Sequence, residues 1–129
     1  SFLVIGKGSF FNYYGKPCNI HHLNMQMNQI DLIEYINDSK IALMPTRRDS
    51  QGVMSCELAT FGIPVITSKL DVCKEMLDGF ENVQLMSDTD LLELDLDAEL
   101  RKRHPNTANN KFSFDNTVKK EIELIEAIL

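Results

Sequence analysis

Residues Pro45 to Ser68 read P-T-R-R-D-S-Q-G-V-M-S-C-E-L-A-T-F-G-I-P-V-I-T-S, and the apolar run Ile41-Ala42-Leu43-Met44 precedes them. Physically the stretch is strand, loop, helix, strand. Residues 41–44 and 63–66 are continuous apolar runs, as expected of parallel strands covered on both faces. Thr46 to Gln51 is a polar loop. Met54, Leu58 and Phe61 recur at i, i+4 and i+7, which predicts a helix with those three on its inward face. Gly62 is placed to end it in a left-handed C′ position, and Pro64 prevents its continuation. The loop after a parallel strand, where the next helix begins, is where α/β proteins hold ligands. Gly52 allows backbone to approach a ligand there, and the free N–H groups that follow suit a phosphate.

Two acids bracket that helix start: Asp49 in the loop and Glu57 eight positions later, about one turn into the helix. A carboxylate accepts two hydrogen bonds and so suits vicinal hydroxyls of a ribose or sugar ring. The plain alternatives are that Asp49 caps a turn and Glu57 is a solvated helix residue. Gly52, Val53 and Met54 would offer amides to a diphosphate, and Gln51 would donate to sugar or phosphate oxygens. Arg47 and Arg48 either pair with phosphate or sit as surface charges; only one of them can face a cleft, and Arg47 is favoured.

The rest of the chain fits an alternation of strands and helices. Phe2 to Ile5 is a strand closed by Gly6-Lys7-Gly8, a turn that either approaches a ligand or merely leads into the next helix. Without the remainder of a Walker pattern it is no P-loop. Ser9 to Tyr14 is an aromatic-rich short helix or turn (Phe10, Phe11, Tyr13, Tyr14), read as core rather than as a base-stacking platform. Cys18 to Leu23 is a strand whose adjacent His21 and His22 point to opposite faces and so cannot chelate one metal readily. Gln29 to Asp38 is a helix with Asn28 as its N-cap and Ile30, Ile33, Tyr35 and Ile36 on an apolar side. Asp71 to Leu77 is a short helix with Val72, Met76 and Leu77 inward, and residues 82–86 are a last strand. Ser87 to Arg103 is a helical region broken near Asp95, residues 106–110 are a linker, and residues 116–129 form a final helix. That helix carries Lys119 and Lys120 early and glutamates late, against the dipole preference.

Composition sets outer bounds. The 129 residues suffice for one domain with a core, and 43% hydrophobic with 25% charged residues is ordinary for a globular protein. A net charge of −6 argues against a broad nucleic-acid footprint. Three cysteines without metal-type spacing read as reduced thiols of a cytoplasmic protein, two of them packing residues. No apolar run approaches the roughly 18 residues of a membrane span, and no signal peptide is visible. The class is α/β with a Rossmann-like, doubly wound parallel sheet.

The central stretch resembles the donor-site signature of family 4 glycosyltransferases, the "glycosyl transferases group 1" family: two acids at E-x7-E spacing, then a small-residue helix and G-x-P-V-I. Glu57 is the second acid, Gly62 to Ile66 matches the close, and Asp49 stands for the first acid. P-T-R-x-D-x-Q-G-V is similar to a bacterial branch in which that aspartate is usual. The segment from Asn28 to Pro45 resembles the family's third helix and fourth strand, and I-G-K-G its second strand. The resemblance implies the C-terminal donor-binding domain of a GT-B fold enzyme over residues 1–129, lacking its first strand and helix. It implies retaining sugar transfer from a nucleotide-diphosphate sugar to a glycan or lipid acceptor in cell-surface polysaccharide or glycolipid assembly. By that resemblance Glu57 binds the donor ribose and Asp49 lies by the donor sugar as the catalytic carboxylate, holding its hydroxyls or stabilising positive charge as the glycosidic bond opens, and no cofactor or essential metal is expected. The acceptor domain of a parent protein would be the partner, leaving room for peripheral membrane association through it; the present chain alone would have little or no activity. The rival readings are a nucleotide-sugar epimerase or phosphorylase of the same architecture, and a non-catalytic nucleotide-sugar-binding module.

Overall fold

The computed structural model describes residues 1–48, 52–102 and 108–128. The chain divides into two compact units, Ser1–Asn37 and Asp38–Leu129. Both are α/β, and every strand pairing is parallel. The five strands among the described residues fall into two sheets, β1-β2 in the first unit and β3-β4-β5 in the second.

The first unit contains β1 (Phe2–Ile5), α1 (Phe10–Tyr14), β2 (Ile20–Leu23) and α2 (Gln29–Asn37). Strand β2 begins two residues later than the sequence predicts. The expected N-cap is present: Asn28 Oδ1 accepts the Asp31 N–H at 2.8 Å. The burial expected here is not. Tyr13 and Tyr14 are exposed rather than core, as are Ile30, Ile33 and Tyr35 on α2. A two-stranded sheet offers too little surface to cover two helices, and among the described residues of this unit none is buried. The histidines do separate: His21 is exposed, while half-buried His22 tilts against Phe11 at 5.0 Å between ring centroids. His22 Nε2 lies 3.0 Å from the Gly6 carbonyl. A carbonyl only accepts, so that nitrogen carries a proton.

The second unit contains β3 (Ala42–Met44), α3 (Val53–Thr60), β4 (Val65–Ser68), α4 (Asp71–Leu77), β5 (Val83–Met86), α5 (Asp88–Leu92), α6 (Leu96–Arg101), a 3-10 turn (Phe114–Asn116) and α7 (Val118–Glu126). Central β4 is buried along its whole length. Strand β3 is only half-buried, because it is paired on one edge alone. The core comprises Cys56, Leu58, Ala59, Ile63, Val65, Ile66, Cys73, Leu77, Phe80 and Met86. Two of the three cysteines are thus packing residues, and Cys18 is exposed.

Helix α3 ends as its sequence predicts. Gly62, at φ 83°, is the left-handed residue. Its N–H reaches Ala59 O at 3.0 Å and the Ile63 N–H reaches Leu58 O at 3.2 Å, the paired bonds of a Schellman motif. Buried Asn82 adds two donations, to Ala59 O at 3.0 Å and Ile63 O at 2.7 Å. The inward face is a correction. Of the predicted Met54, Leu58 and Phe61, only Leu58 is buried; Ser55, Cys56 and Ala59 accompany it. Small Ser55 and Ala59, one turn apart, let the helix lie close on the sheet, which turns Met54 and Phe61 outward.

Helix α4 matches its predicted bounds, with Cys73 and Leu77 buried and Val72 and Met76 half-buried. The break near Asp95 is present: Asp95 caps α6 by accepting the Ala98 N–H at 3.0 Å. Ser87 and Asp90 form a reciprocal capping box on α5. The Ser87 hydroxyl, donating at 2.6 Å, and then the Ser87 N–H hold the Asp90 carboxyl below its ordinary pKa. The Lys74 ammonium, bonded to Asp71 at 2.6 Å, does the same for Asp71. The last helix is shorter than the predicted 116–129. Thr117, at φ −122° and ψ −89°, separates it from the 3-10 turn; Leu129 lies outside the described residues.

Candidate functional site

The site is built at the carboxyl ends of β3 and β4. Two polar residues close the otherwise apolar β4, and both are buried. Thr67 donates to Met44 O at 2.8 Å, and Ser68 Oγ accepts the Thr46 N–H at 2.9 Å. They moor the first turn of the β3–α3 loop to the core. Thr46 Oγ1 in turn donates to Arg48 O at 3.0 Å. Arg47 and Arg48 are both exposed on that loop. Asp49 and Gln51 lie outside the described residues.

Gly52 leads into α3. It is buried and left-handed, at φ 58° and ψ 33°. Its carbonyl accepts the Cys56 N–H at 2.9 Å, so it is the N-cap, and as a glycine it caps the helix with backbone alone. The first amides of this eight-residue helix lie at the positive end of the dipole. Val53 and Met54 are exposed there.

Glu57 is half-buried, not a solvated helix residue. It lines a cleft of about 440 Å³ together with Val53, Cys56, Thr60, Phe61, Met76 and Phe112, a volume within the range of small-ligand sites. Among the described site residues, Val53 and Glu57 share this cleft, whereas Arg47, Arg48 and Met54 do not line it. The described walls are mostly apolar, and among the described lining residues Glu57 is the charged one; its carboxylate would accept hydrogen bonds from a hydroxylated ligand in a partly dry setting.

Sequence reasoning missed the far wall. Phe112 stacks on Phe80 at 5.7 Å between centroids, and the segment carrying it is tied down by Lys111. That ammonium donates to three carbonyls at the end of α4: Glu75 at 3.3 Å, Met76 at 3.0 Å and Asp78 at 2.8 Å. Asn109 adds bonds to Thr60 O at 3.3 Å and Gly79 O at 3.2 Å. K-F-S-F gives no periodic signal. The polar end of V-I-T-S did hold one for Thr67 and Ser68, since a hydroxyl at the mouth of a buried strand must find a partner. No group of three metal-ligating side chains occurs among the described residues, and none of their helices is long and apolar enough to cross a membrane. Searches against protein-family profiles, curated proteins and solved structures return no match.

Proposed function

We propose that the chain is the donor-binding half of a retaining glycosyltransferase with a Rossmann-like, GT-B-type domain, taking a nucleotide-diphosphate sugar. The observation that carries this reading is half-buried Glu57 in a ligand-sized cleft, one turn behind a helix start that is led by left-handed Gly52. The motif residues support the same reading, from P-T-R-x-D-x-Q-G-V to G-I-P-V-I.

In this proposal the amides of Gly52, Val53 and Met54 receive the diphosphate. Arg47 adds a guanidinium to its oxygens. Glu57 accepts hydrogen bonds from the ribose hydroxyls. Asp49 and Gln51 hold the donor sugar, Asp49 offsetting the positive charge that grows as the bond from the anomeric carbon to the diphosphate oxygen breaks. Helix amides and Arg47 stabilise the departing oxyanion, which is chemistry that fixed dipoles can supply without a metal. The acceptor, a glycan or lipid of a cell-surface polymer, would be presented by another domain of the parent protein on the cytoplasmic side.

Calorimetric titration with uridine, guanosine and adenosine diphosphates tests the reading. One of them should bind saturably, and Glu57→Ala should weaken that binding about 10- to 100-fold, the effect of losing charge-assisted hydrogen bonds. A folded protein that binds none of the three refutes the donor-site reading. Binding unchanged in Glu57→Ala refutes the ribose role alone. Product formation by the full-length parent with and without Asp49→Ala separates a transferase from a binding module.

A further inference from the structure

Helix α7 carries an apolar stripe that the described residues leave exposed. At 100° per residue, Val118, Ile122 and Ile125 lie within about 60° of one another. They are 45%, 45% and 58% exposed, no residue of the helix is buried, and α7 packs chiefly back on the 3-10 turn before it. The steps of four and then three are those of successive seam positions in a two-helix coiled coil.

The charges say what covers the stripe. Lys119 and Lys120 stand at the helix start, beside Glu121 as the acid of the first turn, and Glu123 and Glu126 stand in its later turns, with no basic residue in the last turn. That order opposes the helix dipole, so an isolated α7 is electrostatically disfavoured. An antiparallel second helix reverses both the dipole and the charge order. Lys119 and Glu126 are seven residues apart and therefore lie on the same flank of the stripe. In an antiparallel pair each flank meets its own counterpart reversed, so Lys119 faces Glu126 of the second copy, and Glu126 faces Lys119. In a parallel pair, Glu121 on the other flank would instead meet a glutamate at position 126, a like-charge contact. The existing partner of Lys119 is a loose, exposed contact to Asp115 at 3.5 Å, which a closer carboxylate can replace.

We propose that α7 is a self-association surface: two copies of the chain pair through antiparallel α7 helices, with Val118, Ile122 and Ile125 in the seam and two Lys119–Glu126 pairs along one flank. The seam is two turns long, which places the dimer in the weak, concentration-dependent class. The inference is independent of the donor-site reading.

Sedimentation equilibrium of the full chain from micromolar to millimolar concentration tests it. The mass should rise from 14.7 kDa towards twice that value. Ile122→Lys should keep the chain monomeric throughout, with unchanged circular dichroism, because that side chain contributes nothing to the core. Lys119→Glu should weaken association about tenfold, although it improves the charge order within the helix, so lost helicity cannot be the cause. Adding Glu126→Lys should restore it. A chain that stays monomeric at millimolar concentration overturns the proposal. So does association indifferent to Ile122→Lys, or a double reversal that recovers nothing.

Discussion

Replacing Lys111 by methionine should remove more stability than any other single change on the surface of the second unit. The new side chain could still lie against the Phe80 and Phe112 rings, because methionine is unbranched and apolar. What disappears is the ammonium, and with it three carbonyl contacts at 2.8, 3.0 and 3.3 Å. The two ring contacts, at 5.9 Å to Phe80 and 5.6 Å to Phe112, go as well. One charge-assisted hydrogen bond is worth about 1.5–3 kcal/mol. The three share a single, partly exposed ammonium, so they are counted as one bond at the low end of that range. The ring contacts add about 0.5 kcal/mol each at an exposed site. The total is about 2–3 kcal/mol, or about 10–15 °C in melting temperature for a unit of this size. Urea unfolding followed by circular dichroism reads the loss directly. Lys111→Arg should recover part of it, since a planar guanidinium keeps the ring contacts but cannot reach three converging carbonyls alike. A loss under about 0.5 kcal/mol for Lys111→Met would refute the claim that this ammonium holds the Phe112 segment on the end of α4.

Asn82→Ala should shift the urea midpoint by the equivalent of about 2–4 kcal/mol without changing the slope, because buried Ile63 O loses its donor at 2.7 Å. Gly62→Ala should cost about 1–2 kcal/mol on a thermal melt, since φ 83° places a Cβ in the left-handed region. Acid should loosen the α5 cap. The Asp90 carboxyl is lowered in the folded state, so its contribution is fully present above the unfolded value of 3.8 and is lost as pH falls through the folded value. Asp90→Asn, which cannot titrate, should flatten this part of the stability profile below about pH 4, measured as urea midpoints between neutral and acid pH.

The elements that depend on local chemistry were legible in the sequence. Gly62 ends α3, Asn28 caps α2, and Asp95 divides the region after β5, because each of these residues acts on its own backbone neighbours. The parallel α/β character was legible from apolar runs alternating with helical spacing. Burial was harder. Met54 and Phe61 sit at perfect helical spacing with Leu58 yet face outward, since close packing of Ser55 and Ala59 on the sheet outweighs the larger side chains' preference. The aromatic run Tyr13-Tyr14 looks like core by composition, but the surface needed to cover it is a property of the sheet and not of the run. At the site, Glu57 and Gly52 announced themselves through position and spacing. Phe112 and Met76 did not, because the chain returns to the cleft about twenty and then about fifty-five residues after Glu57 and nothing local records those contacts.

The contrast between fully buried β4 and a first unit with no buried residue among those described has a consequence for how the chain opens. Protection of an amide against solvent exchange follows the free energy of the opening that exposes it. Amides of β4 can exchange only when the whole second unit unfolds. Those of β1 and β2, bonded across a two-stranded sheet, need only a local fray. Hydrogen exchange along this chain should therefore fall into two steps, the boundary lying near Asn37. Trypsin, reading the same ladder, should cut at Lys7 while the strands around the candidate site are still intact.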